Sequence, residues 1–326
     1  MAARAGVSVA VASGVLHGAR AEAAVRERVL RAVREIGYRP APHTRPVHRP
    51  PLHLLGVQYN LQQPFHTDLV AAMQVAAERV GYRIDLGGVA PYHGERHVVD
   101  ALLNQHCGAL ITLGSKATST QLTELAAKVP VVVVARRLRP GVPTLDVVRT
   151  AEERGARQAV AHLVGLGHRD IVHIDGGRAP NAAERRGGYR VAMNVHGLGG
   201  HADVLSGGQT ETDGAAAVRA LLNAGGRVPT AVLTFNDRCA LGAIDVLRSA
   251  GITIPGQVSV VAFADSRPSQ DSPTALTAVV PDVSRLAEHS VGWAVARLEG
   301  RQTSGRETLV APLLLPGATA AAARAD

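Results

Sequence analysis

Ala5-Gly6-Val7-Ser8-Val9-Ala10-Val11-Ala12-Ser13-Gly14-Val15-Leu16-His17-Gly18 reads as a tight turn followed by a short apolar helix. Gly6 tolerates the positive φ that such a turn needs. Ser8 carries a hydroxyl able to accept from the free N–H groups of a helix start, which predicts a helix over 8–16. His17-Gly18 ends it, glycine being the usual stop. Val25, Val29, Ala32, Val33 and Ile36 then recur at spacings of three and four, one apolar stripe with Arg26, Arg28, Arg31 and Arg34 mostly off it, and Gly37 closes this second pattern. A helix, a glycine turn, a short helix and a third helix packed beneath them make a helix-turn-helix plan. In that plan the second helix enters the major groove of DNA.

The charge distribution supports this reading. Residues 1–50 hold nine arginines, no lysine and three acids, and so supply +6 of the chain's +8. A basic head on a near-neutral body predicts one segment that meets a polyanion and a larger segment with another task. The excess of arginine over lysine throughout the chain, whose two lysines are Lys116 and Lys128, reads as genomic base bias. Two cysteines far apart, Cys107 and Cys239, make no disulfide framework and fit a reducing cytoplasm. There is no run of eighteen apolar residues to span a membrane.

Pro42, Pro46, Pro50 and Pro51 mark 41–53 as a linker. Beyond it, apolar runs predict strands at 54–58, 83–86, 109–113, 131–135, 171–175, 231–235 and 258–263. Helical patterns fall between them at 65–80, 98–104, 120–128, 154–165, 182–196, 212–224 and 239–249. Strands alternating with helices predict parallel sheets covered on both faces. There are too many strands for one comfortable sheet, so the expected fold is α/β with two doubly wound lobes behind an all-α head. The low-complexity end, 318–326, is expected to be a frayed tail.

The head resembles that of LacI/GalR-type repressors. The likeness runs through Ala5-Gly6-Val7-Ser8-Val9-Ala10, Ser13, Val15-Leu16-His17-Gly18, Val25-Arg26-Glu27-Arg28-Val29 and Gly37-Tyr38-Arg39-Pro40. It continues through Pro64-Phe65, His162-Leu163 with Gly167-His168, Arg185 with Gly188-Tyr189, Phe235-Asn236-Asp237 with Ala240-Leu241-Gly242, Val258-Ser259-Val260-Val261 and Leu276-Thr277. The resemblance implies a head at 1–40, with its first helix truncated, and a two-lobed core at 54–317 similar to periplasmic sugar-binding proteins. It places the N-lobe at about 54–149 and 282–310, the C-lobe at about 151–280 and 311–317, and crossings near 149–151, 280–282 and 310–312. It implies a homodimeric regulator, most simply a repressor, that binds a double-stranded operator and a small-molecule effector, a sugar or related metabolite, with no cofactor.

Residue by residue, the resemblance puts Ser8, Val9, Ala10 and Ser13 toward the groove and Gly14 and His17 at contact positions. Arg26 falls on the phosphates, and Val47 takes the place of a leucine wedged into the minor groove. Gly14 replaces a base-reading arginine, Val11 a threonine and His17 an asparagine, while Pro42 and Pro46 fall inside the would-be hinge helix. For the effector site it points to Phe65, His66, Thr150, Arg185, Gln209, Asn236, Asp237, Ala264 and Asp265. Thr150 stands where an aspartate is common, Gln209 where an aromatic often stacks, and Ala264 where a hydroxyl-gripping aspartate is usual. The expected effector is therefore less hydroxylated than a simple hexose, or anionic, with a vestigial pocket as the alternative, and hexoses should bind poorly. Asn236-Asp237 can also be read as nothing more than a helix cap, and Phe65 as core.

Residues 1–4, the run 7–16 and Ala19-Arg20-Ala21 mimic a secretory signal, but Ser8, Ser13 and Gly14 break the run and a basic helix follows. A solute receptor of the same core fold without effective DNA binding is the alternative function, and a pure protein-interaction module a third. His93 and His97, four apart, read as solvated surface in preference to a metal site, and no nucleophile, base and orienting group assemble, so no enzyme is expected.

Overall fold

The computed structural model describes residues 2–8, 11–12, 15, 21–35, 54–90, 94–138, 145–225, 227–264 and 275–324. The chain divides into two units, Met1–Leu52 and His53–Asp326.

In the first unit α1 spans Ala2–Ala5 and α2 spans Ala23–Glu35. Gly6 adopts φ +62° between α1 and the next helical residues. Ser8 Oγ accepts from the Val11 N–H at 3.2 Å. Ala5, Ala12, Val15, Val29 and Ala32 bury one another, so the stripe read from the sequence is the core of the head. Arg4 pairs with Glu35 at 3.1 Å and Arg31 with Glu27 at 3.3 Å, all exposed.

The second unit holds two six-stranded sheets. Its elements run β1 Leu54–Asn60, α3 Pro64–Arg79, β2 Arg83–Val89, α4 Glu95–Asn104, β3 Ala109–Leu113, α5 Ser119–Ala126, β4 Val131–Val134, β5 Asp146–Thr150, α6 Glu152–Gly165, β6 Ile171–Ile174, α7 Ala182–Val195, β7 Asp203–Leu205, α8 Glu211–Asn223, β8 Ala231–Thr234, α9 Asp237–Ser249, β9 Ser259–Phe263, β10 Thr277–Val280, α10 Val283–Leu298, β11 Glu307–Val310 and β12 Leu313–Leu315. The first sheet, here called the N-lobe, has the order β11-β5-β4-β3-β1-β2 and is parallel throughout. The second, the C-lobe, has the order β12-β10-β9-β8-β6-β7, with only β12 antiparallel to its neighbour.

Parallel strands covered on both faces are continuously apolar, and β3 shows why. Ala109, Ile111 and Leu113 face α3 and α10, whereas Leu110 faces α4 and α5, so all of β3 is buried. The C-lobe repeats the pattern, with α8 and α9 on one face and α6 and α7 on the other. The chain passes between sheets after β5, after β10 and after β11.

The tail corrects an expectation. Residues 318–324 are not frayed. Thr319 exchanges backbone and side-chain hydrogen bonds with Val260, at 2.7 and 2.6 Å. The Ala321 N–H donates to Ser259 Oγ at 3.1 Å and the Ala323 N–H to the Leu166 carbonyl at 2.8 Å. Low complexity misled because the pinning is done by backbone groups and one threonine, which a run of alanines does not advertise.

Candidate effector cleft

Strand ends of parallel α/β sheets gather loops and helix starts into crevices. Here a cavity of about 250 Å³ is lined from both sheets. From the N-lobe come Phe65 and His66 at the start of α3, Ala135 after β4, and Arg149 and Thr150 at the end of β5. From the C-lobe come Glu152 at the start of α6, Asn181 and Arg185 around the start of α7, Gln209, Phe235 and Asn236. Ala135 and Asn181, two of the three described non-glycine residues with positive φ, border it at 57° and 68°. Backbone held in that region is uncommon and concentrates at ligand sites.

Six sequence-predicted residues are therefore brought together: Phe65, His66, Thr150, Arg185, Gln209 and Asn236. His66 is buried, and its Nδ1 accepts from the Asn60 N–H at 3.1 Å, which leaves the ring proton on Nε2. Asn236 serves as a cap as well as a wall. Its Oδ1 accepts from the Cys239 N–H at 2.8 Å, and its Nδ2 donates to the Gln209 carbonyl at 2.9 Å, fixing the loop that carries Gln209. Asp237 heads α9 and its Oδ1 accepts from the Arg238 N–H at 2.8 Å; it does not border the cavity. Ala264 is buried among apolar residues of the C-lobe. Asp265 lies outside the described residues.

Arg185 sits between the rings of Phe235 and Phe263, 4.9 and 4.1 Å from their centroids. Its Nε donates to Glu152 Oε2 at 2.8 Å and its Nη1 to the Phe235 carbonyl at 2.6 Å. Both side chains of the Arg185–Glu152 pair are almost fully buried. Asn181 Nδ2 donates to the other Glu152 oxygen at 3.1 Å.

Glu152, Asn181 and Arg149 were missed by sequence reasoning. The available signal is position: Arg149 lies in the first predicted crossing and Glu152 just beyond it, beside Thr150, where the resemblance expects an aspartate. Glu152 restores a carboxylate two residues on, but Arg185 and Asn181 already engage it.

A second cavity, of about 410 Å³, lies in the N-lobe between α4 and α5. Arg96, Lys116 and Lys128 alternate around it with Glu95, Asp100 and Glu124, so no ligand charge is favoured there. Glu95 is tied to the Ser115 hydroxyl and, at 2.9 Å, to the Lys116 N–H. His97 lies on α4, and its proposed companion His93 is outside the described residues.

The comparisons with known proteins agree with this architecture. A family profile described as a periplasmic binding protein-like domain matches residues 160–320. The HTH-type transcriptional regulator CelR of Thermobifida fusca is 32% identical over 319 residues, 93% of this chain and 92% of CelR. A LacI transcriptional regulator from a Rhodococcus species is 42% identical, with a TM-score of 0.73 over 83% of this chain and 99% of that one.

This chain belongs to the LacI family of transcriptional regulators.

Two further solved LacI-family structures span 98% of this chain and 98% of their own. One is a CelR–cellobiose complex, at 27% identity and a TM-score of 0.66. The other is a Lac repressor dimer bound to operator and the anti-inducer ONPF, at 26% and 0.68. The first unit, Met1–Leu52, holds the residues that the resemblance assigns to a helix-turn-helix head. Of its predicted DNA-contacting residues, Ser8 is placed as a cap and Arg26 is exposed on α2. Val9, Ala10, Ser13, Gly14, His17 and Val47 lie outside the described residues. No helix among the described residues is long and apolar enough to cross a membrane.

Proposed function

We propose that this LacI-family regulator is a cytoplasmic homodimeric repressor. Its grip on an operator is set by an uncharged, sparsely hydroxylated small molecule, a sugar derivative or related metabolite, held between the two sheets. The observation that carries the reading is the cavity with convergent polar groups from both lobes, bordered by residues in strained backbone. The uncharged character follows from the pairing of its arginines: Arg185 is met by Glu152 and Arg149 by Glu184, both at hydrogen-bond distance. A simple hexose finds few free carboxylate acceptors for its hydroxyls, and Phe65 and Phe235 offer it apolar faces instead.

On this reading Ser8, Val9, Ala10, Ser13, Gly14 and His17 meet the groove, Arg26 a phosphate and Val47 the minor groove. The chain performs no catalysis. The test is electrophoretic retardation of promoter fragments from the chain's own genomic neighbourhood, with and without the hits of a thermal-shift screen of sugars, nucleosides and organic acids. Retardation that changes with a hit supports the reading. No retardation of any fragment at low salt overturns the repressor, and a stabilising hit in that case favours the solute receptor. A strong hit with glucose or galactose overturns the argument from acceptors.

A further inference from the structure

Glu184, on the first turn of α7, belongs to the C-lobe, yet both of its oxygens accept from N-lobe arginines. Oε1 accepts from Nη1 of Arg137, which follows β4, at 2.9 Å, and Oε2 from Nη1 of Arg149, on β5, at 2.9 Å. Arg149 is in turn anchored within its own lobe, its Nε donating to Glu307 Oε1 on β11 at 2.5 Å. The Arg149 and Glu184 side chains are 10% and 11% exposed, while Arg137 is 60% exposed. The bridge thus has one buried arm and one solvated arm.

We propose that Glu184 is an interlobe latch that sets the relative position of the two lobes around the effector cleft. This inference rests on the reading of the cavity as the effector site. A carboxylate with a cation on each oxygen makes two charge-assisted hydrogen bonds of fixed direction, and parting the sheets breaks both. Two ions taken out of water contribute orientation more than net stability, so the latch selects one relative position of the lobes. Glu184 is a positioning residue: it does not line the cavity, and it acts on the effector through the closure of the walls that do. An effector that fits only an open cleft must first part Glu184 from both arginines.

The test reads the separation of the lobes directly. Spin labels are placed at Glu124→Cys on α5 and Val195→Cys at the end of α7, both exposed. The native Cys107 and Cys239 are buried and stay unlabelled. Full-length labelled chain is diluted into unlabelled chain, with no ligand and no DNA, and the distance distribution is taken by pulsed dipolar spectroscopy. The expected result is one narrow distribution with Glu184 intact. Glu184→Gln keeps the shape but loses the charge, and should shift the distribution to longer distances and broaden it. Arg137→Gln, at an exposed position that leaves the fold intact, should move it in the same direction by less. High salt should mimic Arg137→Gln, because screening reaches the exposed arm first.

Unchanged distributions in both variants overturn the latch. If the distributions shift as expected but no small molecule in the thermal-shift screen stabilises the protein, the latch stands and the effector reading fails. If a metabolite stabilises it while Glu184→Gln leaves the lobes in place, the reverse holds.

Discussion

At the scale of single residues, buried ion pairs and buried histidines make the sharpest demands. Glu152 and Arg185 are each nearly inaccessible and meet at 2.8 Å. Removing one partner of such a pair strands a charge in a low-dielectric site, at a cost of about 3–5 kcal/mol. Glu152→Leu alone should therefore lower the urea midpoint strongly. Glu152→Leu with Arg185→Leu, which sets an apolar side chain against Phe235 and Phe263, should recover most of the loss. His173 is fully buried, donates from Nδ1 to the Leu233 carbonyl at 2.9 Å, and among the described residues has no partner at Nε2. A proton on Nε2 has no acceptor, and burial pushes the imidazole from 6.5 down to about 4. The unfolded chain takes up that proton below 6.5 and the folded chain does not. Stability should then fall as the pH drops from about 6.5 to about 4, by about 3 kcal/mol in all. Burial lowers His168 in the same direction. Urea titrations at stepped pH should show the decline, and His173→Gln should flatten it.

At the scale of elements, α8 and α9 approach so closely that glycine is required on each. A Cβ on Gly214 would overlap the Cys239 carbonyl, and one on Gly242 the Glu211 carbonyl. Gly242→Ala must part the two helices, and should lower the melting temperature even though alanine favours helix. Thr210 opens α8 in a capping box with Asp213, its Oγ1 accepting from the Asp213 N–H at 3.2 Å. Thr210→Ala should cost about 1 kcal/mol, measurable by urea unfolding. The reciprocal hydrogen bonds from Thr210 hold the Asp213 carboxyl below its usual range, so this contribution is full above that range and is lost as pH falls below it through the lowered value.

The same scale shows what the sequence could tell. A strand such as β4, buried on both faces, announced itself as an unbroken apolar run. β5 did not, because Asp146 and Arg149 interrupt it, and their partners Arg297 and Glu307 lie more than 150 residues away. The short strands β7, β10, β11 and β12 were equally silent. In the cleft, six positions came from resemblance, whereas Glu152, Asn181 and Glu184 acquire their importance only from contacts that folding creates.

At the scale of the whole molecule, a head carrying +6 of the +8 charge predicts an affinity for duplex DNA that falls steeply with salt. Arg26→Ala, at an exposed position on α2, should weaken retardation on all fragments alike. It should also reduce the slope of log affinity against log salt by about one. The pinned carboxyl end has a practical bearing. Strand β9 and the loop at Leu166 take hydrogen bonds from Thr319, Ala321 and Ala323. A purification handle should therefore be joined beyond Asp326 through a spacer, and a clipped version ending at Gly317 will expose a raw seam along the C-lobe and clump on storage.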